Sequence, residues 1–464
     1  MTTTPPPVAI RPSAGGKPPK TPLSAAQATE EMESPATPGS RVHCVLTWGV
    51  NEDGQLGHDH NEDIIIPTIV KGLKDYKLRD PEPMVAPLIA SSRNTLAICE
   101  DGELYTWGWN ARGTLGHGHK ESEFRPRKVA SLAGVKIMQA HIGGWHSLAV
   151  SEDGQAFAFG GNEYLQCGVQ NPPDERDIIT PVACLPTIRV RHVSAGGMHS
   201  VAVTTEGTVF QWGQPFSVTS YSDQELSKPR LVPGLVDVKY VSAGAFHNVA
   251  VTHAGSVKSW GHNEYGQLGV GNTTYADVPI DIEALHEVGV KEVACGGWHS
   301  CAITEGGSLY AQAPYVLYTL QPYIPTSYIL ITEGGSLYVW GRGEYGRLGL
   351  GDHTAKSRLL PVLNEFFEEE GRAVADVSCG GTHSIALLRD GRVFVWGRAT
   401  YGRLGTHREE NCAEPVELEL PGNPKVLSVT AGGRHSCAYV CYYDRPPPIQ
   451  RQLSRGKSIR KPNV

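Results

Sequence analysis

Hydrophobic and polar residues alternate along most of this chain, which is the pattern of β-strands. The alternating runs come in pairs separated by a short turn, as in LAICEDGELYTWG from Leu96, LAVSEDGQAFAFG from Leu148 and IALLRDGRVFVWG from Ile385. The Asp-Gly dipeptides between the runs supply the positive φ that a two-residue hairpin turn requires. The pattern therefore predicts an all-β chain built from repeated β-hairpins.

Three motifs recur in the same order around each hairpin. The first strand begins with G-G-x-H-S-x-A or a variant of it, at residues 91–97, 143–149, 196–202, 244–250, 296–302, 380–386 and 432–438. The second strand ends with an aromatic residue and a glycine, the aromatic residues being Trp48, Trp107, Phe159, Trp212, Trp260, Trp340 and Trp396. After most of these pairs comes N-x-x-G-x-L-G or a relative, whose glycines predict a tight loop that closely approaches a neighbouring strand.

The histidine position of the first motif gives the length of the repeat. It recurs every 48 to 53 residues, except for one interval of 84. A period near fifty with several short strands per repeat is typical of a β-propeller. The first repeat lacks a G-G-x-H strand and the last strand lacks an aromatic-Gly partner, so both should meet in one blade. We predict a seven-bladed β-propeller closed by its N- and C-terminal strands, which leaves no open sheet edge.

The interval of 84 residues has a cause in the sequence. The octapeptide ITEGGSLY at 303–310 occurs again at 331–338, and subtracting the offset of 28 residues leaves an interval of 56, close to the others. We therefore interpret residues 311–338 as a duplication or a gene-model insert. A functional insertion in blade 6 is the alternative.

The two ends differ in composition from the region between them. Residues 1–40 contain nine prolines and no aromatic residue, so this segment should be disordered. Residues 445–464 hold six basic residues and no acidic one and should form a second disordered tail. The whole chain has a net charge of −7 and the first forty residues balance, so the predicted propeller, residues 41–444, carries −13. Nucleic acid binding is therefore not expected, except through the basic C-terminal tail.

Several kinds of site and location find no support in the sequence. The N-terminus has no hydrophobic stretch of the kind found in a secretory signal, and the uncharged stretch 311–332 is interrupted by prolines, which disfavours a membrane span. The ten cysteines show no C-x-x-C spacing. This disfavours a zinc site and fits a reducing compartment, the cytoplasm or the nucleus. The glycine-rich loops lack G-K-[ST], so no cofactor is predicted.

The recurring motifs resemble those of the regulator of chromosome condensation repeat family, over roughly residues 41–444. The resemblance implies a seven-bladed propeller, because WD-type blades would carry Trp-Asp in place of Trp-Gly. Two activities are well known in that family: guanine-nucleotide exchange on a small GTPase, and UV-B perception by a plant photoreceptor. The photoreceptor branch has Trp at the second glycine of G-G-x-H, followed by Arg. Here that position holds no Trp, and only Arg434 matches the motif's Arg.

Three functional hypotheses follow. The first is a non-catalytic scaffold that binds protein partners. The second is an exchange factor whose acidic body holds the basic surface of a small GTPase. The third, a UV-B photoreceptor, is disfavoured by the missing Trp cluster.

No catalytic, cofactor-binding or metal-binding residue is predicted. Each histidine occupies the same position in a different blade, so we expect structural hydrogen bonds between blades from His146, His199, His247, His299, His383 and His435. The tryptophans of the Trp-Gly pairs should pack between blades: Trp48, Trp107, Trp212, Trp260, Trp340 and Trp396. The candidate partner-binding loop mixes aromatic and acidic residues: Phe366, Phe367, Glu368, Glu369 and Glu370. In the C-terminal tail, Ser454 resembles a basophilic kinase site.

Overall fold

The strands of this protein form seven four-stranded antiparallel sheets. The computed structural model describes residues 41–73, 77–81, 85–170, 176–214, 228–286, 288–304, 335–369 and 372–443. The strands in chain order are β1 (Val42–Gly49), β2 (Ile64–Ile69), β3 (Leu88–Ala90), β4 (Asn94–Ile98), β5 (Leu104–Gly108), β6 (Glu123–Lys128), β7 (Ile137–Ile142), β8 (His146–Ser151), β9 (Ala156–Gly161), β10 (Asp177–Ala183), β11 (Val190–Ala195), β12 (His199–Thr204), β13 (Val209–Gly213), β14 (Arg230–Leu231), β15 (Val238–Ala243), β16 (His247–Thr252), β17 (Val257–Gly261), β18 (Ala276–Asp281), β19 (Val290–Cys295), β20 (His299–Thr304), β21 (Leu337–Gly341), β22 (Arg358–Leu363), β23 (Val374–Cys379), β24 (His383–Leu388), β25 (Val393–Gly397), β26 (Cys412–Glu417), β27 (Lys425–Ala431) and β28 (His435–Tyr442).

Each sheet is one blade of a seven-bladed β-propeller, as the repeat predicts. Blade 1 has the order β27-β28-β1-β2, and blades 2 to 7 are β3–β6, β7–β10, β11–β14, β15–β18, β19–β22 and β23–β26. Among the described residues the helices are single 3₁₀ turns, and none is long and apolar enough to cross a membrane. Their bounds are Lys71–Leu73, Ala130–Leu132, Glu283–Leu285, Glu344–Gly346, Glu365–Glu368 and Thr400–Gly402.

Blade 1 closes the ring, because it combines both ends of the described chain. Strand β1 pairs with β28 over eight consecutive positions, from Val42 opposite Tyr442 to Gly49 opposite His435. The register has no bulge, and the third strand of this blade thus comes from the start of the chain. The predicted closure by N- and C-terminal strands is confirmed.

The middle strands of the blades are buried on both sides. All six residues of β24, His383–Leu388, are buried, and β8 and β20 show the same pattern. The alternation in the sequence alone suggests one solvent-facing side. Both sides are buried because each blade packs against a neighbour on either face, and the apolar clusters lie between successive blades.

The fourth strand is the outer edge of each blade, and proline marks it. Six of the seven outer strands contain one, namely Pro67, Pro126, Pro181, Pro279, Pro361 and Pro415. Proline has no N–H to donate to a further strand, so it interrupts the edge at which another chain could add.

Blade 6 joins the two copies of the repeated octapeptide. Ile303 of the first copy pairs with Leu337 of the second, and Thr304 N–H donates to Ser336 O at 3.2 Å. Residues 337–338, which we assigned to the insert, therefore lie in strand β21. Gly335 and Ser336, which also belong to the predicted insert, are described. Residues 311–334 and both predicted tails lie outside the described residues.

Candidate functional site: the loop face of the propeller

The propeller presents two ends of different construction. We call the end that carries the G-G-x-H turns and the loops after Trp-Gly the loop face. The opposite end, the hairpin face, carries the turns between second and third strands and the connections from blade to blade. Functional candidates are therefore assigned to one face or the other.

The G-G turns form a ring of backbone hydrogen bonds at the loop-face mouth of the central channel. Gly297 N–H donates to Gly380 O at 3.2 Å, Gly381 N–H to Gly432 O at 3.1 Å, and Gly433 N–H to Ser91 O at 2.7 Å. In the six turns that begin with glycine, this first residue has no room for a side chain. A Cβ on Gly296 would lie 2.5 Å from Gly380 O. Glycine recurs here because neighbouring backbones touch.

The central channel encloses about 540 Å³ and is lined mainly by backbone and small side chains. Its polar groups largely bond from blade to blade, as when Ser242 Oγ accepts the Cys295 N–H at 3.0 Å. Burial, followed by the nearby charge of Glu292, raises the pKa of Asp376 to about 7. Among the described residues no group of three His, Cys, Asp or Glu side chains is arranged to hold a metal ion.

Each predicted histidine reaches across to the next blade. The Nε2 atom of His299 lies 2.9 Å from Ser384 Oγ, and that of His435 lies 3.0 Å from Thr95 Oγ1. The other four make the same contact at 2.7 to 2.9 Å, to the side chains of Ser200, Asn248, Ser300 and Ser436. In blade 2 Asn94 takes the histidine position and donates instead to Trp109 O.

The partners of these hydroxyls determine which histidine nitrogen carries the proton. Ser384 Oγ–H donates to Arg347 O at 3.0 Å, so its one proton is already used. His299 Nε2–H must therefore be the donor. Its Nδ1 is buried without a partner among the described residues, as is that of His146, His247, His383 and His435. Burial lowers the pKa of His146 to about 3 and of His199 to about 4, so these rings are neutral at physiological pH. A structural role for them stays a prediction.

The predicted tryptophans are buried between blades, and most share an acceptor with the serines. Trp396 Nε1–H donates to Arg347 O at 2.8 Å, the carbonyl that also accepts the Ser384 hydroxyl. Trp48, Trp212 and Trp340 bond in the same way at 2.8 to 3.0 Å. Trp260 instead donates to Gln211 Oε1, and buried Trp107 Nε1 has no partner among the described residues.

The candidate partner loop lies toward the outside of blade 6. Phe367 is buried between blades 6 and 7, and Phe366 packs against Phe394 with ring centroids 5.3 Å apart. The two rings are thus anchored in the fold, and Glu368 and Glu369 remain at the surface. Partner binding by this loop stays a prediction. Glu370 and Ser454 lie outside the described residues.

The loop face also carries residues that the sequence motifs left unassigned. The variable residue of G-G-x-H is Trp145, Met198, Phe246 and Trp298 in blades 3 to 6, and Thr382, Arg434 and Arg93 in blades 7, 1 and 2. One half of the rim is therefore apolar and the other half is polar or basic. The sequence contained the signal, since this residue is the variable position of G-G-x-H.

Aromatic and arginine side chains pair along this rim. Trp109 and Trp145, from adjacent blades, meet edge to face with centroids 5.5 Å apart. The guanidinium of Arg93 lies 5.0 Å from the Trp109 ring and bonds Asp53 through two contacts of 2.6 and 2.7 Å. Trp145 is 38% exposed. The Trp109–Trp145 contact was not expected, because Trp109 lies outside the motifs.

Comparison with known proteins matches this architecture. The family model described as "RCC1-like domain" covers residues 43–312, and the regulator of chromosome condensation (RCC1) repeat covers 334–387 and 390–439. The chain belongs to the RCC1 repeat family. It is 30% identical over 400 residues to the ultraviolet-B receptor UVR8 of Arabidopsis thaliana, covering 85% of this chain and 70% of the receptor.

Two further comparisons extend the same conclusion. The chain is 28% identical over 437 residues to the mouse secretion-regulating guanine nucleotide exchange factor, covering 89% of this chain and 86% of that protein. The crystal structure of Prp20p from Saccharomyces cerevisiae superposes with a TM-score of 0.68 at 21% identity, over 86% of this chain and 91% of Prp20p. This structural likeness concerns the fold.

Proposed function

We propose that this RCC1-repeat protein is a non-catalytic scaffold that binds protein partners through its loop face. The observation that carries the proposal is the rim of Trp, Phe, Tyr and Arg side chains, because Trp, Tyr and Arg dominate the binding energy of protein interfaces. Trp145, Tyr345 and Tyr401 are exposed on this face by 37 to 44%. In this proposal the repeat histidines, which are neutral and hydrogen-bonded between blades, stabilise the fold and do not contact the partner.

Guanine-nucleotide exchange on a small GTPase is the second candidate. It is favoured by the similarity to the mouse exchange factor over most of both chains. Prp20p, which has the same fold, binds Gsp1p and histones. The −13 body would suit a partner with a basic surface.

UV-B perception remains disfavoured despite the similarity to UVR8. The second glycine position of the G-G-x-H turns holds Gly or Ala in blades 3 to 7 and 1. Trp145 and Trp298 lie in blades 3 and 6, and among the described residues the ring contact between two tryptophans is the pair Trp109–Trp145. Irradiating the protein at UV-B wavelengths during size-exclusion chromatography should leave its elution volume unchanged.

The scaffold proposal is tested by affinity capture from a lysate of the source cells. Three forms of the full chain serve as bait: the wild type, Trp145→Ala on the loop face, and Tyr443→Ala, whose 55% exposed ring lies at the hairpin face. Each bait is used in EDTA and in Mg²⁺-GTP, after thermal melts have shown that all three are equally folded.

We expect the wild type and Tyr443→Ala to capture the same partners in both buffers, and Trp145→Ala to lose these partners. A small GTPase enriched in EDTA alone would instead establish the exchange factor. Partners retained equally by all three baits would refute the loop face as the docking surface. We propose the cytoplasm or nucleus as the location, supported by ten cysteines without a disulfide.

A further inference from the structure

Five arginines gather on the loop face of blades 6, 7 and 1. We call Arg342, Arg347, Arg398, Arg403 and Arg434 the arginine arc. Each follows a Trp-Gly pair, lies in the loop after it, or occupies the variable position of a G-G-x-H turn. The body around them carries a net charge of −13, so this concentration of positive charge is local.

Arginines of the arc pack on tyrosine rings through cation–π contacts. The guanidinium carbon of Arg398 lies 4.7 Å from the centroid of Tyr345, and that of Arg347 lies 5.6 Å from the same ring. Arg403 packs in the same manner on Tyr401, at 6.0 Å. Cations over aromatic faces are attracted to the ring electrons, which offsets part of the repulsion between neighbouring guanidiniums.

The deepest members of the arc anchor it to the channel rim. Arg347 is 1% exposed and donates from Nη1 to Gly381 O at 3.1 Å. Arg403 is 2% exposed and donates from Nη1 to Thr382 Oγ1 at 2.7 Å. Burial, and then the charge of Arg342, lowers the pKa of Arg347 to about 10. Burial, and then the charge of Arg398, lowers the pKa of Arg403 to about 10 as well.

Acidic partners are too few to neutralise the arc. Glu344 bonds Arg342 at 2.6 Å and lies 3.9 Å from Arg347. Arg434 lies 3.7 Å from Glu52. Within the described part of the chain, Arg398 and Arg403 have no carboxylate within 4.0 Å, and the buried Nε of Arg342 has no hydrogen-bond partner.

The neighbouring blade shows what a compensated arginine on this face looks like. Arg93, in blade 2, binds both carboxylate oxygens of Asp53 at 2.6 and 2.7 Å. A buried charge without a counterion is costly, and the cost falls when an anion arrives from outside. The arc therefore has the electrostatic arrangement of a surface that meets carboxylates supplied by another molecule.

We propose that the arginine arc binds an acidic peptide segment of a partner protein. The inference rests on the proposed function, since the arc is part of the same loop face. The partially exposed Arg342, Arg398 and Arg434 would contact the carboxylates, while buried Arg347 and Arg403 raise the local positive potential.

The spread of the arc favours an acidic peptide over other anions. Its members extend across three blades and alternate with tyrosines, which matches several spaced carboxylates better than one compact phosphate. A nucleic acid longer than the arc would extend over the acidic body, where its phosphates would be repelled.

The test uses the full chain and a fluorescein-labelled peptide of alternating glutamate and glycine, read by fluorescence anisotropy at low salt. The double variant Arg398→Gln with Arg434→Gln removes two charges of the arc, one partially exposed and one exposed. Arg389→Gln with Arg392→Gln is the matched control, because it also removes two positive charges, here from the hairpin face of blade 7, where Arg392 pairs with Asp390 at 2.7 Å. A lysine–glycine peptide controls for sequence-independent adsorption.

We expect saturable binding of the glutamate peptide that the Arg398–Arg434 variant weakens about tenfold or more and the Arg389–Arg392 control by less than about twofold. Equal weakening by both variants, or no saturable binding, would overturn the proposal. Tighter, equally Arg398-dependent binding of inorganic phosphate or of a short DNA duplex would also overturn it in favour of that anion. Failure of the peptide with retained Trp145-dependent capture refutes the arc alone, whereas loss of that capture refutes the scaffold proposal.

Discussion

The hydrogen bond made by each buried tryptophan predicts different costs for the same substitution in two blades. Trp107 and Trp396 both end a third strand and are both 0% exposed. Trp396 Nε1–H donates to Arg347 O at 2.8 Å, whereas Trp107 Nε1 has no partner among the described residues. Phe159 holds the same position in blade 3, so the fold already accommodates a phenylalanine there.

Replacing either tryptophan by phenylalanine removes the same ring volume from a fully buried site, so the packing loss should largely cancel in the comparison. Trp396→Phe additionally loses a hydrogen bond with a net value of about 1 kcal/mol. Trp107→Phe removes a buried donor whose missing partner costs about 1 to 3 kcal/mol. We therefore expect Trp396→Phe to be more destabilising than Trp107→Phe by about 2 kcal/mol or more.

Urea unfolding followed by far-UV circular dichroism and by fluorescence measures the difference, provided that the two signals give one midpoint. Trp340→Phe, whose indole also donates to a loop carbonyl, should behave like Trp396→Phe. If Trp107→Phe proves as destabilising as the other two, the shared carbonyl contributes nothing measurable and the bonding scheme between blades is wrong.

Three further predictions follow from the same contacts. Gly296→Ala should destabilise strongly, because its Cβ would lie 2.5 Å from Gly380 O, whereas Gly297→Ala, with 3.3 Å to its nearest contact, should be tolerated in the same melting assay. The buried neutral histidines should make the protein less stable in acid. In the unfolded chain they bind protons below about pH 6.5, whereas in the folded chain they stay neutral down to about pH 3 to 4. The free energy of unfolding should therefore fall as the pH falls from about 6.5 to about 3. Equal urea midpoints at pH 7 and pH 5 would contradict this. Deleting 311–338 should leave the melting temperature within error of that of the full chain, because the first copy of the octapeptide then supplies the strand that now contains Leu337. A lower melting temperature would show that the segment stabilises blade 6.

The architecture could be predicted because its determinants are local and repeated. A hairpin with Asp-Gly at its turn is specified within a few residues, and seven copies at one period leave few alternatives to a closed ring. Even the pairing of β1 with β28 followed from which motif each end lacked. Proline in the outer strands is an equally regular feature of the sequence. Its role, to interrupt the hydrogen-bonding edge of a blade, is recognised once the structure shows that those strands are edges.

The surface could not be predicted in the same way, because it depends on which side chains from different blades become neighbours. Trp109 and Trp145 are separated by a strand, a loop and another strand, and nothing in either segment indicates their contact. The candidate partner loop mixes Phe366 and Phe367 with glutamates, and both rings pack into the blade interior. Composition alone does not distinguish an aromatic residue that anchors a loop in the fold from one that binds a partner. The burial of the ring in the structure makes this distinction.

The way the blades are joined explains why family membership leaves the partner open. The acceptor for Ser384 and Trp396 is the backbone carbonyl of Arg347, and the acceptor for Ser200 and Trp212 is that of Gln166. Because the contact between blades uses the carbonyl, the side chain at that loop position can change from glutamine to arginine without loss of the hydrogen bonds. The hydrogen bonds between blades can therefore stay the same while the side chains of the loop face vary in charge and shape. In blades 6 and 7 this loop position holds arginine, which contributes to an arginine-rich surface on an acidic propeller.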